Sequence, residues 1–319
     1  MTIKSSINPK LIGRAILKSP VELALQILGD RCTLLILKEI WLGKRRFEHF
    51  ISSSGVSRGT LSSRLKFLVD HGVIYKDLYN TSPKRYEYKL TDKGIETYPI
   101  AIYFWQWEIE YAEDFKVPEL FHLDCGNYLD ISTNCSHCNE EISLNNVRYE
   151  IVSKNDLIKY PTFQSRRSEA NNDLKNTNSY MLIELVGNRW TGLVYAGLLF
   201  GLRRFDEFHD ALGIATNILS DRLKKLLDAG IIRKKVYQRK PSRYEYLLTE
   251  KGRIGYLMTI HLFFWANKWM LFGSENPVHL FHENCGNAIK SVNINCKDCN
   301  KIINPSKVSY NDLRKAIIS

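Results

Sequence analysis

The chain has 319 residues, of which 44% are hydrophobic and 25% charged, as in an ordinary globular protein of about two domains. Its formal net charge of +11 favours a polyanionic partner, either nucleic acid or an anionic membrane surface. The sequence has neither an apolar run long enough to span a membrane nor a recognisable signal peptide, so we expect a cytoplasmic protein with reduced thiols and no membrane partner.

The first half of the chain opens with three predicted helices. Pro20–Leu28 is predicted as a short helix because proline suits the first helical position and Gly29 suits the position after the end. An apolar helix is expected from Arg31 to Leu42, where Gly43 stops it. A third, short helix is expected over Arg46–Ser53.

A fourth helix, capped by Ser57 and ending at His71-Gly72, has the features of a recognition helix. Leu61, Leu65 and Leu68 form one apolar stripe, while the opposite face is small, polar and basic. Such a face suits the major groove, where hydroxyls and cations contact phosphates and base edges. The predicted DNA-binding residues on this face are Ser57, Arg58, Ser62, Ser63 and Lys66.

A hairpin and an aromatic helix follow. Val73–Tyr79 and Arg85–Leu90 alternate like paired strands, and Lys84 and Arg85 at their tip are further predicted DNA contacts. This order of helices and hairpin is that of a winged helix-turn-helix. The aromatic segment Asp92–Ala112 is predicted as one long helix, which could be core, an interface between modules or the lining of a ligand pocket.

The second half of the chain repeats the first. Arg45-Arg46-Phe47 recurs as Arg203-Arg204-Phe205 and Arg85-Tyr86-Glu87-Tyr88 as Arg243-Tyr244-Glu245-Tyr246, each 158 positions later. A constant offset predicts the same fold twice. The predicted DNA-binding residues of the second repeat are Thr216, Asn217, Ser220 and Lys224 on its recognition helix and Arg239, Lys240 and Arg243 on its wing. The acidic Asp221 on the same helix suggests that this copy binds DNA more weakly.

Six of the seven cysteines lie in two matching clusters, one after each repeat. His122-x-x-Cys125 precedes Cys135-x-x-Cys138, and His282-x-x-Cys285 precedes Cys296-x-x-Cys299. Because Cys₃His is a common structural zinc set with no open coordination position, each cluster predicts one zinc-ribbon-like element with structural Zn²⁺. Reduced thiols and iron are the alternatives. The seventh cysteine, Cys32, is expected to be a small core residue.

These patterns predict an α+β, mostly α, chain with five segments. Lys154–Thr177 is rich in Asn, Ser and charge, which predicts a linker. The expected segments are a winged helix at 1–115, a zinc-ribbon-like element at 116–153, the linker at 154–177, a second winged helix at 178–275, and a second zinc-ribbon-like element with the C-terminal tail at 276–319.

The motifs resemble those of the HxlR family of bacterial winged-helix regulators. Pro20-Val21-Glu22, Arg45-Arg46-Phe47 and Arg85-Tyr86-Glu87-Tyr88 followed by Leu90-Thr91-Asp92-Lys93-Gly94 carry the resemblance, which recurs in the second half. It implies DNA binding, usually by a homodimer, often repression of a nearby gene, and an aromatic helix at the dimer interface. Some members sense oxidants through a cysteine just before the proline, where this chain has Ser19.

Taken together, the sequence predicts a sequence-specific, double-stranded DNA-binding transcriptional regulator, more specifically a repressor. Since one chain holds both modules, it could act as an intramolecular pseudo-dimer or pair further as a homodimer, with a small-molecule effector left open. The alternative is a transcription-associated interaction module with structural zinc and little direct DNA reading. We expect no enzyme, because the sequence has no nucleophile–base pair, phosphate-binding loop or open metal site.

Overall fold

A computed structural model describes residues 8–111, 119–151, 187–271 and 276–310 of the chain. The fold is α+β, with two winged helix-turn-helix modules that are each followed by short strands bearing the Cys and His residues. The predicted linker, Lys154–Thr177, lies outside the described residues. No helix within the described ranges is both long and apolar enough to cross a bilayer.

The first repeat contains the predicted helices and hairpin, and its helix ends follow local signals. Ser19 and Ser57 cap the second and fifth helices with their side chains, and Gly55 takes a left-handed conformation (φ 63°) after the fourth. The elements are α1 Pro9–Leu17, α2 Pro20–Leu28, α3 Arg31–Trp41, α4 Phe47–Ser54, α5 Arg58–Asp70, β1 Ile74–Thr81, β2 Lys84–Leu90, α6 Asp92–Ile95 and α7 Tyr98–Tyr111.

Two features of the first repeat differ from the sequence prediction. The aromatic segment is not one helix from Asp92, because α6 ends at Ile95 and α7 begins at Tyr98. Pro99 favours the break, because it has no backbone N–H to donate to the carbonyl of Ile95 four residues earlier. The helix α1 was not predicted at all.

The second repeat has the same order of elements. They are α8 Arg189–Leu199, α9 Phe205–Leu212, α10 Thr216–Asp228, β7 Ile232–Arg239, β8 Ser242–Leu248, α11 Glu250–Arg253 and α12 Gly255–Met270. In α10 the position before the first helical residue is Ala215, which provides no side-chain cap, whereas Ser57 caps α5. The recognition helices therefore differ at their N-terminal ends.

The strands after the two modules pair mostly across the repeats. They are β3 Phe121–His122, β4 Asn127–Tyr128, β5 Ile131–Cys135 and β6 Val147–Ile151 after the first module, and β9 Val278–His282, β10 Val292–Cys296 and β11 Val308–Ser309 after the second, with a 3-10 turn at Pro305–Lys307. The strand β5 pairs antiparallel with β10, β6 with β9, and β3 with both β4 and β11. The central pair is reciprocal, with Ile131 opposite Cys296 and Cys135 opposite Val292.

The last helix of each module completes the core of the other module. Trp107 of α7 is buried in the core of the second repeat, and Trp265 of α12 in the core of the first. The Nε1 atom of Trp107 donates to the Lys251 carbonyl at 3.3 Å, and that of Trp265 donates to the Lys93 carbonyl at 2.8 Å. Because these two bonds join equivalent residues in opposite directions, they mark a pseudo-twofold axis between the repeats.

The unpredicted helix α1 also crosses between the repeats. Ile12 and Ile16 are buried in the core of the second repeat beside Phe208 and Ala211 of α9. The backbone of Gly13 approaches so closely that a Cβ there would lie 1.9 Å from the Ala211 carbonyl oxygen, so only glycine fits. The N-terminal helix of the chain thus belongs structurally to the second module.

Candidate nucleic-acid interface and metal centres

The recognition helix α5 presents the predicted DNA-binding residues to solvent. Its apolar stripe, Leu61, Leu65 and Leu68, is fully buried, which fixes the rotation of the helix. The opposite face is exposed, and it carries Ser57, Arg58, Ser62, Ser63 and Lys66. Packing therefore leaves one polar, basic face free for a partner.

Two cations on this face are held by neighbouring carboxylates. The Arg58 guanidinium donates to both Glu48 carboxylate oxygens, at 2.8 and 3.2 Å, and Lys66 donates to Asp70 at 2.8 Å. The Arg58 hydrogen bonds also lower the pKa of the Glu48 carboxyl. The carboxylate of Glu48 therefore competes with any phosphate that approaches Arg58, a feature that sequence reasoning missed.

The second arginine of α5, Arg64, is structural. Arg64 is buried and lies 3.1 Å from the Asp30 carboxylate, at the N-terminal end of α3. This ion pair locks α5 against α3 and orients the exposed face. The leucine spacing and the charge pattern do not show that Arg64 is buried and Arg58 exposed. Which arginine is buried depends on the rotation of the helix about its own axis.

The wing of the first repeat carries its predicted cations at the tip. Lys84 and Arg85 are exposed where β1 and β2 join, with Arg85 opposite Asn80 and Lys84 opposite Thr81. The hairpin is anchored to the module by backbone hydrogen bonding of Tyr88 to the Arg45 carbonyl at 2.8 Å. The tip can therefore reach outward while its base stays fixed.

The second repeat exposes an equivalent surface with different side chains. The exposed residues are Thr216, Asn217, Ser220 and Lys224 on α10 and Arg239, Lys240 and Arg243 on the wing. Asp221 lies 3.1 Å from Arg222 and 3.2 Å from Lys225, which offsets its negative charge. Sequence reasoning overlooked the exposed Arg233, Lys234 and Lys235 on β7, a run of three cations that could have signalled a more basic second wing.

The Cys and His residues form two four-residue groups, but the grouping by repeat was wrong. His122 and Cys125 lie with Cys296 and Cys299, and the second group likewise takes two residues from each repeat, namely Cys135, Cys138, His282 and Cys285. In each group the candidate ligand atoms all lie within 4.8 Å of one another. Each site therefore joins the two repeats.

The strand β5 explains why the ligands exchange partners. This strand connects His122-x-x-Cys125 to Cys135-x-x-Cys138 in the chain. Its five extended residues span about 17 Å, so Cys135 lies far from Cys125. The antiparallel partner β10 places Cys296 opposite Ile131, at the end of β5 nearer Cys125. Sequence spacing alone could not reveal this, because the pairing is between strands 161 residues apart.

The two groups fit a tetrahedral metal ion. The Cys125 Sγ lies 3.4 Å from the His122 Nδ1 and 3.9 Å from the Cys296 Sγ. A tetrahedron with Zn–S bonds of about 2.3 Å has S···S edges of about 3.8 Å, so these separations match. In the second group the Cys138 Sγ lies 3.2 Å from the His282 Nδ1. Both histidines are buried and present Nδ1 to the sulfurs.

Backbone turns around the cysteines favour thiolates. The amide of Asn287 donates to the Cys285 sulfur and lowers the pKa of that thiol to about 6, with His282 acting in the same direction. The Lys301 amide likewise lowers the pKa of Cys299. Burial instead raises the pKa of Cys296 to about 11. The residues that follow Cys285 and Cys299, namely Gly286 and Asn300, have left-handed φ angles of 70° and 55°, which allows the tight turns.

The prediction for the remaining cysteine agrees with the structure. Cys32 is a buried core residue, and burial raises the pKa of its thiol to about 12. His137 is exposed and lies outside both four-residue groups, as does His279.

Comparison with known proteins identifies the modules. The HxlR-like helix-turn-helix family matches residues 27–116 and 185–272, more than half of the chain. A Mycobacterium bovis protein named as an uncharacterized HTH-type transcriptional regulator is 40% identical over 129 residues, covering 40% of this chain and 82% of its own. A Bacillus subtilis HTH-type regulator, YvaP, is 34% identical over 89 residues, covering 28% of this chain and 82% of its own.

One solved structure, described as a transcription factor from Pseudomonas aeruginosa, is 33% identical and covers 37% of this chain and 80% of its own, with a TM-score of 0.30. The family match carries the assignment. The two modules define a winged-helix transcriptional regulator that binds DNA, and not an enzyme. The chain belongs to the HxlR-like helix-turn-helix family, with the family module present twice.

Proposed function

We propose that the protein is a sequence-specific repressor whose two winged helices act as an intramolecular pseudo-dimer on double-stranded DNA in the cytosol. The reciprocal packing of the repeats carries this proposal. The hydrogen bonds of Trp107 and Trp265 relate the modules by a pseudo-twofold axis, which matches the approximate twofold symmetry of paired half-sites. Such a protein would sit across two successive major grooves and exclude polymerase from that DNA.

The predicted DNA contacts are the exposed residues described above. The recognition-helix hydroxyls, amides and cations would read base edges and phosphates, and the wing-tip cations Lys84, Arg85, Arg239, Lys240 and Arg243 would bind phosphate or the minor groove. Fusion of the repeats replaces concentration-dependent pairing with a high effective concentration of the second module.

We also propose that each Cys₃His group holds one structural Zn²⁺. When bound, the ion supplies four coordination bonds and no catalytic chemistry, since all four positions are filled by protein. The chain's own contribution is to bring the two halves of each group together through the β5–β10 pair. The short strands around the sites bury apolar side chains such as Ile131, Val147 and Ile294, and a bound metal would add to the folding free energy that this burial supplies.

The first test measures binding stoichiometry. The purified chain is titrated against labelled duplexes from upstream of its own gene, and mass photometry counts chains per duplex. We expect one chain per duplex, with two protected half-sites about one helical turn apart. Two chains per duplex, or protection of a single half-site, would contradict the pseudo-dimer.

Matched variants separate the two modules. Arg58→Ala weakens the first recognition helix, and Lys224→Ala weakens the second, each by removing an exposed cation. Each should reduce protection of one half-site only. The exposed Lys290, which lies outside both predicted DNA surfaces, provides a control, and Lys290→Ala should leave both half-sites protected.

A further inference from the structure

An arginine-lined pocket of about 200 Å³ opens at the base of the second wing. Its polar lining is Arg203, Arg233, Arg253 and Asn145. The rest of the wall consists of leucines from α8, from β8 and from the segment between β5 and β6. None of the described residues that line the pocket is acidic. The lining therefore combines three positive charges with an apolar wall.

Two of these arginines have hydrogen-bond donors that the fold leaves unused. Arg233 is exposed and forms neither a hydrogen bond nor an ion pair with any described residue. The Nη1 atom of Arg203 donates to the carbonyl oxygens of Leu198, at 2.5 Å, and Leu202, at 2.9 Å. These bonds fix the side chain of Arg203 and leave its Nε and Nη2 atoms without a partner among the described residues.

The neighbouring carboxylates do not cancel the charge of the arginines. Glu207 and Glu245 act electrostatically on the partly buried arginine, but each has other partners. Glu207 accepts hydrogen bonds from the two backbone amides before α9, at 2.7 and 2.9 Å, and Glu245 lies 3.4 Å from Arg204. Glu250 lies 3.6 Å from the Nε atom of Arg253, but its side chain is 88% exposed, so water screens the pair. A positive potential therefore remains at the pocket.

The first repeat lacks this set of charges. The residues 158 positions before the three arginines are Arg45, Tyr75 and Ile95, so two of the three cations are missing there. The apolar wall differs as well, because Leu247 corresponds to Lys89. We therefore expect one such site per chain.

The size and chemistry of the pocket narrow the ligand class. A guanidinium presents its N–H groups in a fork that matches the oxygens of a carboxylate or a phosphate. An apolar cavity of about 150 Å³ holds one benzene molecule, so 200 Å³ accommodates a ring with one charged group attached. The leucines favour an apolar body over a bare inorganic ion.

The pocket lies apart from the predicted DNA contacts of the same wing. Arg233 is opposite Leu247 at the base of the hairpin, whereas Arg239 is opposite Ser242 at its tip. The extended strand between the two arginines spans about 20 Å. Asn145 adds a wall from the first repeat, so an occupant would contact both repeats. This position favours a small ligand over a phosphate of the duplex held by the wing tip.

We propose that this pocket binds one small organic anion, with a carboxylate or phosphate group on an apolar body about the size of one ring. Arg233, Arg253 and the unused donors of Arg203 would bind the anionic oxygens, and the leucines would cover the apolar body. The proposal does not depend on how the protein reads DNA. It can therefore fail or succeed independently of the repressor assignment.

Calorimetry of the full-length protein without DNA tests the site. Phenyl phosphate and benzoate are the probes, inorganic phosphate is the anion without a ring, and phenol is the ring without an anionic group. We expect one aromatic anion per chain, bound at least about tenfold more tightly than inorganic phosphate and phenol. The tighter of the two probes identifies the preferred anionic group. If neither probe exceeds both inorganic phosphate and phenol, the proposal is overturned.

Two variants and a matched control locate the binding. Arg233→Ala and Arg253→Ala remove exposed side chains and should each lower the affinity for the aromatic anion about tenfold. The control is Lys234→Ala, which removes the neighbouring cation on the opposite face of β7, where its Nζ atom lies 5.2 Å from the centre of the Tyr244 ring. This variant should leave the affinity unchanged. Equal losses in all three variants would contradict the assigned site.

A phosphate of the DNA backbone is the competing occupant. If the pocket held one, Arg233→Ala would reduce the salt slope of DNA binding by about 0.9. We expect an unchanged slope, because the ligand is a small molecule and the pocket lies at the base of the wing. A slope reduced by that amount would assign the pocket to DNA and overturn the proposal.

Discussion

The two wing-tip arginines allow a quantitative test of DNA binding by both modules. Arg85 and Arg243 are exposed at equivalent positions, Arg85 opposite Asn80 and Arg243 opposite Gln238 in the hairpin register. Replacing either with alanine removes one cation from a hairpin tip without touching a core residue. If both wings engage the duplex, Arg85→Ala and Arg243→Ala should have equal electrostatic effects.

The magnitude follows from the number of exposed cations. Among the predicted DNA contacts they are Arg58, Lys66, Lys84, Arg85, Lys224, Arg239, Lys240 and Arg243. If each neutralises one phosphate, the logarithm of the binding constant falls with the logarithm of salt concentration with a slope of about −7. Each arginine removed should reduce the slope by about 0.9 and lower affinity about fivefold at 0.15 M salt, and the double variant about thirtyfold.

Fluorescence anisotropy over about 0.05 to 0.3 M salt measures these slopes. The control is Lys290→Ala, which removes one exposed positive charge elsewhere and should leave the slope unchanged. An unchanged slope in both arginine variants would refute the assignment of the wings. A change in Arg85→Ala alone would mean that the second wing does not engage DNA.

Three further predictions concern the ion pairs and the metal sites. Glu48→Gln should strengthen DNA binding a few-fold, because the substitution removes the carboxylate that holds the Arg58 guanidinium. The gain should require Arg58, and an equal gain in the Arg58→Ala background would contradict this explanation. Cys125→Ser should lose one of two bound zinc ions, measured by atomic absorption, while Cys32→Ser keeps both. Mild oxidation of the metal-free protein should link Cys125 to Cys296, and a Cys125–Cys135 link would count against ligand groups that combine residues of both repeats. Arg189→Met should destabilise the fold by about 2 kcal/mol at neutral pH, less than for a fully buried pair because Arg189 is partly exposed. Burial raises the pKa of the Glu22 carboxyl above its unfolded value, so the contribution of Glu22 to the free energy of unfolding is lost as pH rises through the folded pKa. Loss of Arg189 raises that pKa further. Denaturant unfolding of Arg189→Met should therefore show a loss of stability that grows with pH and is absent in the Glu22→Gln background.

Local signals made the winged helices predictable. Pro20 and Ser57 mark helix starts through chemistry that acts within one turn, and the buried leucines of α5 repeat with the helical period. The same locality explains the one misread helix, where Pro99 should have divided the aromatic segment. These features depend on neighbouring residues, so one sequence is enough to find them.

Contacts between the repeats were not predictable in the same way. The ligand residues are recognisable from their spacing, but their grouping depends on the antiparallel register of β5 and β10, which no short-range pattern encodes. The helix α1 carries a local signal in Asn8 and Pro9, yet its packing on α9 depends on a partner about 200 residues away. Fusing the repeats makes such distant pairs intramolecular.

Fusion also frees the two recognition surfaces to diverge. The first has Arg58 and Ser63 where the second has Thr216 and Asp221, and only the first has a serine cap. A homodimer reads the same half-site twice, whereas two different helices held on one scaffold favour two different half-sites. We therefore expect selection from random duplexes to return a non-palindromic operator. Recovery of a perfect palindrome would mean that the substitutions lie outside the base-reading positions.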